Sequence, residues 1–550
     1  MAKIQRSQPG AGSRRLRQSR AAAGSPYDMT YETRSAAQSR RAPQSRQIST
    51  QQAQHNQSRR RKGRRIVILQ GLASILLMIQ AYRTRMLPFW ILAAVGVALF
   101  LLWCFTLSNQ RYPVRGALTR AIAWPLTIVM AVGCIFTQQG ITALQQITAG
   151  ENTVVVGLYV LADDPAQKLA DTDGYAFGCL SAQDRENTDK TISQISAKVS
   201  SAQEPAGYDS VFDLAGALYD GQVQAILLNQ SFVSLLEDEG SAYADFATRT
   251  RCVYSYTISL GNILGGITGG AANEITKEPF LVYLSGVDTR GDLSDTCRSD
   301  VNILAAVNPV TKQVLLVNTP RDYYVPLAGT DGAMDKLTHA GLYGVDCSME
   351  TLGALYGVQV DYYMKVDFTG FVDIVNALGG IDVVSDEAFT TVGSPGYYDP
   401  TTFVEGVNHM DGAAALAFAR ERHHVTGGDL GRGKNQMKVI EAILEKAKSP
   451  AILTGYSALM RSVSDSFLTN LSQDQIGALV KMQLKDGADW DIQSYSVSGS
   501  NSKSTQCYSA KGSNLYVMEP DTETVSTAKA MLQQVLSGGT SDAGSSQPAA

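Results

Sequence analysis

Three apolar stretches near the start of the chain restrict what it can fold into more than any other feature. They run from about 66 to 82, 86 to 107 and 119 to 138, the last with an uncharged extension to Gln146. Each approaches the roughly 20 residues that cross a bilayer as a helix. The first is the shortest and holds Gln70 and Gln80, so it is the weakest span. An apolar region that starts so late and is followed by two more does not fit a cleaved signal peptide. Three transmembrane helices are therefore expected, with a large water-exposed remainder.

Arginine and lysine set the expected orientation. Arg59, Arg60, Arg61, Lys62, Arg64 and Arg65 abut the first span, and Arg111, Arg115 and Arg120 lie between the second and third. Both groups should stay in the cytoplasm. Three crossings then leave everything past about residue 140 outside the plasma membrane. Arg83 and Arg85 in the first outer turn oppose this but are outnumbered, and failure of the first stretch to span would reverse the parity. Residues 1 to 65 carry sixteen Lys and Arg against two acids in a chain of net charge -4, so the remainder is net acidic by eighteen charges. With no apolar periodicity, this tail is expected to be disordered and to sit against anionic lipid. A nucleic-acid-binding arm is the lesser reading.

The length of 550 residues implies two to four domains. Residues 150 to 275 mix strand-like runs (Thr153 to Leu161, Val223 to Leu228, Arg251 to Leu260) with helix-like ones (Lys190 to Ala202, Ser210 to Tyr219, Phe232 to Glu237). This is the pattern of a small α/β accessory domain. Gly261 to Gly270 reads as a linker, 276 to 537 as a second α/β domain, and 538 to 550 as a frayed end. Five of the seven cysteines would lie outside, where disulfides persist. Cys179 with Cys252 and Cys297 with Cys347 are the candidate pairs. No Cys/His metal spacing occurs.

The chemistry concentrates in the second domain. A strand from Pro279 to Leu284 leads to Asp288, and Asp300 opens the next strand, Val301 to Val307. Acids at strand ends can hold a hard cation such as Mg²⁺, which takes one or two carboxylates plus phosphate oxygens. An Asp-rich turn, with Asp292 and Asp295 beside them, is the plainer reading. Arg321 and Asp322 follow a third strand, Gln313 to Asn318, and Lys336 lies in Asp335-Lys336-Leu337-Thr338-His339. The densest signal is a helix from Ala413 to Glu421, then Arg420, Arg422, His423, His424, a glycine-rich loop from Gly427 to Gly433 holding Asp429 and Arg432, and a helix from Gln436 to Ala447. Arginines beside a helix N-terminus suit phosphate oxygens, although a solvated basic helix end would look similar. The two histidines have no acid at metal spacing and read as flanking residues.

In order, Gly-Val-Asp-Thr-Arg, Arg-Ser-Asp, Pro-Arg-Asp, Lys-Leu-Thr-His-Ala, Asp-Tyr-Tyr-Met-Lys-Val-Asp-Phe, Leu-Gly-Gly-Ile-Asp-Val, Asp-Gly-Ala-Ala-Ala-Leu-Ala-Phe-Ala-Arg-Glu-Arg and Asp-Leu-Gly-Arg resemble the LytR-CpsA-Psr family. The likeness covers residues 279 to 537. The three spans and the accessory domain resemble its capsule-associated branch. The resemblance implies a mixed sheet flanked by helices. It also implies a phosphotransferase that moves a glycopolymer phosphate from undecaprenyl pyrophosphate to peptidoglycan with Mg²⁺ (or Mn²⁺). Polysaccharide-synthesis proteins would be further partners. Carried over, Asp288 and Asp300 would hold the metal. Arg298, Arg321, Arg420, Arg422 and Arg432 would line the pyrophosphate, with Arg290, Asp322, Lys336 and Gln436 nearby and Asp429 orienting the arginines or acting on the metal side. Tyr362 to Ile381 would help wall a lipid tunnel. Gly433 and Asn435 depart from the family pattern, which favours an apolar residue and an Arg there. A lipid pyrophosphate hydrolase and a non-catalytic regulator of surface polysaccharide synthesis are the alternatives.

Overall fold

A computed structural model describes residues 42–110, 112–149, 152–200, 204–238, 241–260, 274–288, 292–447 and 466–538. The expected disorder of residues 1–41 and 539–550, the linker at 261–270 and Arg290 lie outside them.

Three long helices open the described chain: α1 (Ala42–Arg83), α2 (Phe89–Asn109) and α3 (Pro113–Ala149). Within them 63–83, 89–109 and 114–148 are long and apolar enough to cross a membrane. Helix α1 begins at Ala42, so the last third of the expected disordered tail is helical instead. The reason is local: no glycine lies between Ala42 and Lys62, and Gln, Arg and Ala extend a helix already nucleated by the apolar segment. The two glutamines that weaken the first span are turned inward. Gln80 accepts from Thr137 at 2.9 Å and Gln70 is buried. Gly71 permits Trp103 to lie close enough to donate to Val67 O at 3.1 Å. Arg85, in the α1–α2 turn, forms an ion pair with Asp474.

A five-stranded sheet follows, built from β1 (Thr153–Leu161), β2 (Phe177–Leu180), β3 (Ala206–Tyr208), β4 (Ala225–Asn229) and β5 (Thr250–Ser259) in the order β3-β2-β4-β1-β5. Helices α4 (Arg185–Ser196) and α5 (Val211–Tyr219) flank it. Ser210 caps α5 by accepting from Asp213 N. Strand β4 is central in the order and buried throughout, so its run of apolar residues has no polar alternation to show.

The second sheet has six strands. Its order is Phe467–Thr469, Tyr362–Asp367, β6 (Phe280–Val287), β7 (Ser299–Asn308), β8 (Gln313–Asn318) and Asp491–Ser496. Strand β7 runs antiparallel to both β6 and β8, so the end of β6, the start of β7 and the end of β8 share one edge of the sheet. The register slips between Gly286↔Val301 and Val287↔Ser299, which leaves Asp300 as the extra residue of a β-bulge. A bulge re-aims a side chain out of the ladder.

The two sheets meet through main chain and core. Thr153 N donates to Ser294 O and Thr296 N to Thr153 O, both at 2.9 Å. Leu342 is fully buried within the apolar cluster of the first sheet. All seven cysteines are free thiols, so neither candidate disulfide forms. For Cys179 and Cys252 the sheet order explains this. β4 and β1 separate their strands, three spacings or about 14 Å, where a disulfide tolerates a Cα separation of at most about 7 Å.

Candidate active site

The shared sheet edge gathers charge. Arg321, just past β8, donates from Nη1 to Asp300 Oδ1 at 2.8 Å, and its Nε lies 3.5 Å from Asp322 Oδ2. Lys336 Nζ holds the other Asp322 oxygen at 2.9 Å. From the far side Arg432 Nη2 meets Asp429 Oδ1 at 2.6 Å. Burial alone would raise the Asp300 carboxyl, but Arg321, Arg432 and Arg298 hold it below the usual carboxylate range. Asp322 behaves alike: burial is outweighed by Arg321, Lys336 and Arg432. Burial pushes Arg432 down, and Arg321 adds to this, while Asp429 pulls the other way. Those cross-influences make Asp300, Asp322, Asp429, Arg321 and Arg432 one electrostatic unit.

A second group joins it at Asp288, which follows β6. Its Oδ1 accepts from the Tyr397 hydroxyl at 2.8 Å and its Oδ2 lies 3.3 Å from Arg420 Nη2. The Arg420 guanidinium stacks over Phe368 at 4.6 Å and Tyr397 at 5.5 Å from the ring centroids, a cation–π clamp that fixes its plane. Helix Gly412–Arg420 presents Arg420 at its C-terminus, where the dipole favours a cation. Gln436 Nε2 donates to Ala419 O at 3.3 Å and so ties down the residue beside it. The turn beyond folds around the buried Glu421, whose Oε1 accepts from the backbone of Arg422, His423 and His424 at 3.0, 2.6 and 3.1 Å.

Several of these partners carry no sequence signal. Tyr397 and Phe368 stand beside Arg420 only because distant segments converge. Arg422 is exposed and donates to His423 Nε2 at 3.4 Å, so the structure does not bring it into the buried unit. Arg298 gives Nη1 to Asp238, at 2.7 Å to Oδ1 and 3.0 Å to Oδ2, an acid of the first sheet's region. The helix expected from Gln436 starts earlier, at Asp429. Gly427 and Gly428, at φ +86° and +56°, make the entry turn, and Gly431 and Gly433 lie inside the helix. They are there for space. A Cβ on Gly433 would lie 2.1 Å from Asn318 Nδ2, and one on Gly431 would lie 2.3 Å from Thr426 O. That close approach explains the glycine where the family pattern favours an apolar residue.

The unit is chemically incomplete. Arg321 Nε, Arg420 Nη1, Arg432 Nε and Asp429 Oδ2 are buried without a hydrogen-bond partner. Buried polar atoms are normally satisfied, so three guanidinium nitrogens and one carboxylate oxygen are set to meet something else. Phosphate oxygens suit the nitrogens in geometry and charge. The oxygens of Asp288 and Asp300, on adjacent strands of one sheet edge, are the hard donors Mg²⁺ prefers, and that ion needs only one or two carboxylates beside phosphate. The residues fit such an ion.

Residues 265–530 match the LytR_cpsA_psr family model. They form a LytR-CpsA-Psr domain. The chain is 38% identical over 201 residues to a Bacillus cereus (strain AH820) protein named polyisoprenyl-teichoic acid–peptidoglycan teichoic acid transferase TagU, covering 36% of this chain and 63% of that one. An Enterococcus faecalis protein of the same name is 38% identical over 202 residues, covering 36% and 64%. The chain thus spans slightly less than two thirds of these relatives. The crystal structure of B. subtilis TagV is 28% identical, covers 48% of this chain and 98% of that one, and superposes with a TM-score of 0.40. The LytR-CpsA-Psr domain contains every charged residue of the unit described above, and Asp238 lies before it.

Proposed function

We propose that the protein is a membrane-anchored phosphotransferase working on the outer face of the bacterial plasma membrane. It moves a glycopolymer phosphate from undecaprenyl pyrophosphate to a peptidoglycan sugar hydroxyl. A new phosphodiester forms, the pyrophosphate P–O bond breaks, and undecaprenyl phosphate leaves. The observation that carries this reading is the set of buried nitrogens on Arg321, Arg420 and Arg432 that make no hydrogen bond, beside Asp288 and Asp300. The names of the transferase relatives agree with it.

The chain's own groups divide the work. Arg321 and Arg432 hold non-bridging phosphate oxygens in a site where water is largely excluded, so charge that builds up in the transition state meets fixed donors. Arg420, clamped by Phe368 and Tyr397, meets the departing lipid phosphate without first reorganising. Mg²⁺ or Mn²⁺ held by Asp288 and Asp300 would supply further neutralisation of phosphate charge. The attacking hydroxyl gives its proton to a carboxylate. Asp288, just past β6, and Asp322, beside Arg321, are the two carboxylates placed for that role. The positive-inside bias of the helices carries the outward orientation.

The test uses the full chain in lipid nanodiscs with Mg²⁺ and an undecaprenyl pyrophosphate-linked oligosaccharide. Release of undecaprenyl phosphate that is lost in Arg321→Ala and Arg420→Ala is the expected result. Unchanged release in both variants would remove this site from the reaction.

A further inference from the structure

Five cations stand in or beside the site, and each meets an acid. Four of those acids belong to the LytR-CpsA-Psr domain: Asp300 with Arg321, Asp322 with Lys336, Asp429 with Arg432 and Asp288 with Arg420. The fifth does not. Arg298 is paired with Asp238, which lies in the region of the first sheet. Arg298 lies just before β7, two residues ahead of Asp300, and is near enough to help hold that carboxyl low. One of its nitrogens makes both bonds to Asp238.

The mount that carries Asp238 is firm. Leu235 and Leu236 just before it are buried in the first sheet's core. Phe232 packs edge-on against Tyr343 of the LytR-CpsA-Psr domain at 5.7 Å between centroids, and Ser231 Oγ donates to Leu342 O at 3.4 Å. The pair itself is open to solvent. The side chains of Arg298 and Asp238 are 30% and 41% exposed, against 14% and 7% for Lys336 and Asp322 and 10% and 15% for Arg432 and Asp429. Exposed pairs are weak and exchange readily, whereas breaking a buried one is costly. The Arg420–Asp288 pair is about as open, at 27% and 35%, but only the Arg298–Asp238 pair takes its acid from outside the LytR-CpsA-Psr domain, so there alone can a partner supplied by the first sheet's region be displaced at low cost.

We propose that Asp238 is a built-in counter-ion that competes with the substrate's phosphate oxygens for Arg298, so that the accessory region sets the anion affinity of the site. The inference rests on the reading of the site as a pyrophosphate site. Its consequence runs opposite to that of a supporting contact: removing the carboxylate strengthens anion binding. Arg298 then offers its full charge, and a phosphate product is held longer.

The test is calorimetric titration of the full chain in detergent micelles with inorganic pyrophosphate and Mg²⁺. Asp238→Asn, of the same shape, should bind about fivefold tighter, the scale of an exposed ion pair. Asp238→Glu, which restores the charge, should return to the affinity of the unsubstituted protein. Arg298→Ala should bind more weakly, and adding Asp238→Asn to it should change nothing further. Unchanged or weaker binding in Asp238→Asn overturns the proposal, as does a gain that persists without Arg298. Because binding needs no turnover, the expected pattern in a protein that fails to transfer would refute the transferase and leave this inference standing. No pyrophosphate binding by the unsubstituted protein overturns both.

Discussion

Arg321 donates to Asp300 from Nη1 at 2.8 Å while its own buried Nε makes no hydrogen bond. One guanidinium thus organises the bulged acid at the start of β7 and still has a donor for a ligand. Replacing it by alanine strips a partner from Asp300 and Asp322 together. The side chains of Arg321 and Asp300 are about a quarter exposed and that of Asp322 is buried, so the loss of stability should be about 2 kcal/mol, below the range for fully buried pairs. Release of lipid phosphate should fall by at least about a hundredfold, the scale of losing a preorganised oxyanion donor. Thermal unfolding and turnover on the same preparation check both figures.

Gln436 acts at one remove. Its bond to Ala419 O steadies the residue before Arg420, so Gln436→Ala should lower turnover about tenfold while melting within about 1 kcal/mol of the unsubstituted protein. Gln436→Glu, which loses the donor and keeps the size, should behave like the alanine. Full activity in either variant would show that the tie has no catalytic consequence.

Gly433→Ala introduces a methyl 2.1 Å from Asn318 Nδ2, which is itself donating to Ser496 Oγ at 3.0 Å. Helix and strand must separate, or Asn318 must give up its bond. A cost of about 1–3 kcal/mol is expected by denaturant unfolding, despite alanine's better helix propensity. A stabilised variant would contradict the close packing.

Acid stability should follow the buried acids. Burial would raise Asp335, but His339, with Nδ1 at 2.6 Å from Oδ1, and Ser509 hold it below the usual carboxylate range. Its folded pKa lies under the unfolded value of about 3.9. The stabilisation is complete above that value and is lost as pH falls through the folded pKa. Asp335→Asn should therefore weaken the protein at neutral pH and flatten its stability curve below about pH 4. Parallel curves for the two proteins would contradict the assignment.

What the sequence made legible follows from the range of each signal. Thr153 to Leu161 reads as a strand and is one, because its β-branched apolar run and its flanks are local. Asp300 and Arg321 read as neighbours of strand ends for the same reason. Their pairing depends on β7 running antiparallel to β6 and β8, a fact of register that no local pattern carries. The start of the helix at Asp429 was hidden by Gly431 and Gly433, which read as loop residues and are helical because Asn318 and Thr426 lie against them. Tyr397 and Asp238 carried no signal: one of two tyrosines in a turn and one of three acids after a short helix acquire meaning only from Arg420 and Arg298 across space.

The most direct measurement of the central claim is mass spectrometry of peptidoglycan fragments. They would be incubated with the nanodisc-embedded full chain, Mg²⁺ and an undecaprenyl pyrophosphate-linked oligosaccharide. The account predicts a new sugar phosphodiester on the fragment, absent with Asp300→Ala and Arg420→Ala. Oligosaccharide phosphate released to water with no modified fragment would contradict transfer and identify a hydrolase, and a modified fragment formed equally by both variants would contradict the site.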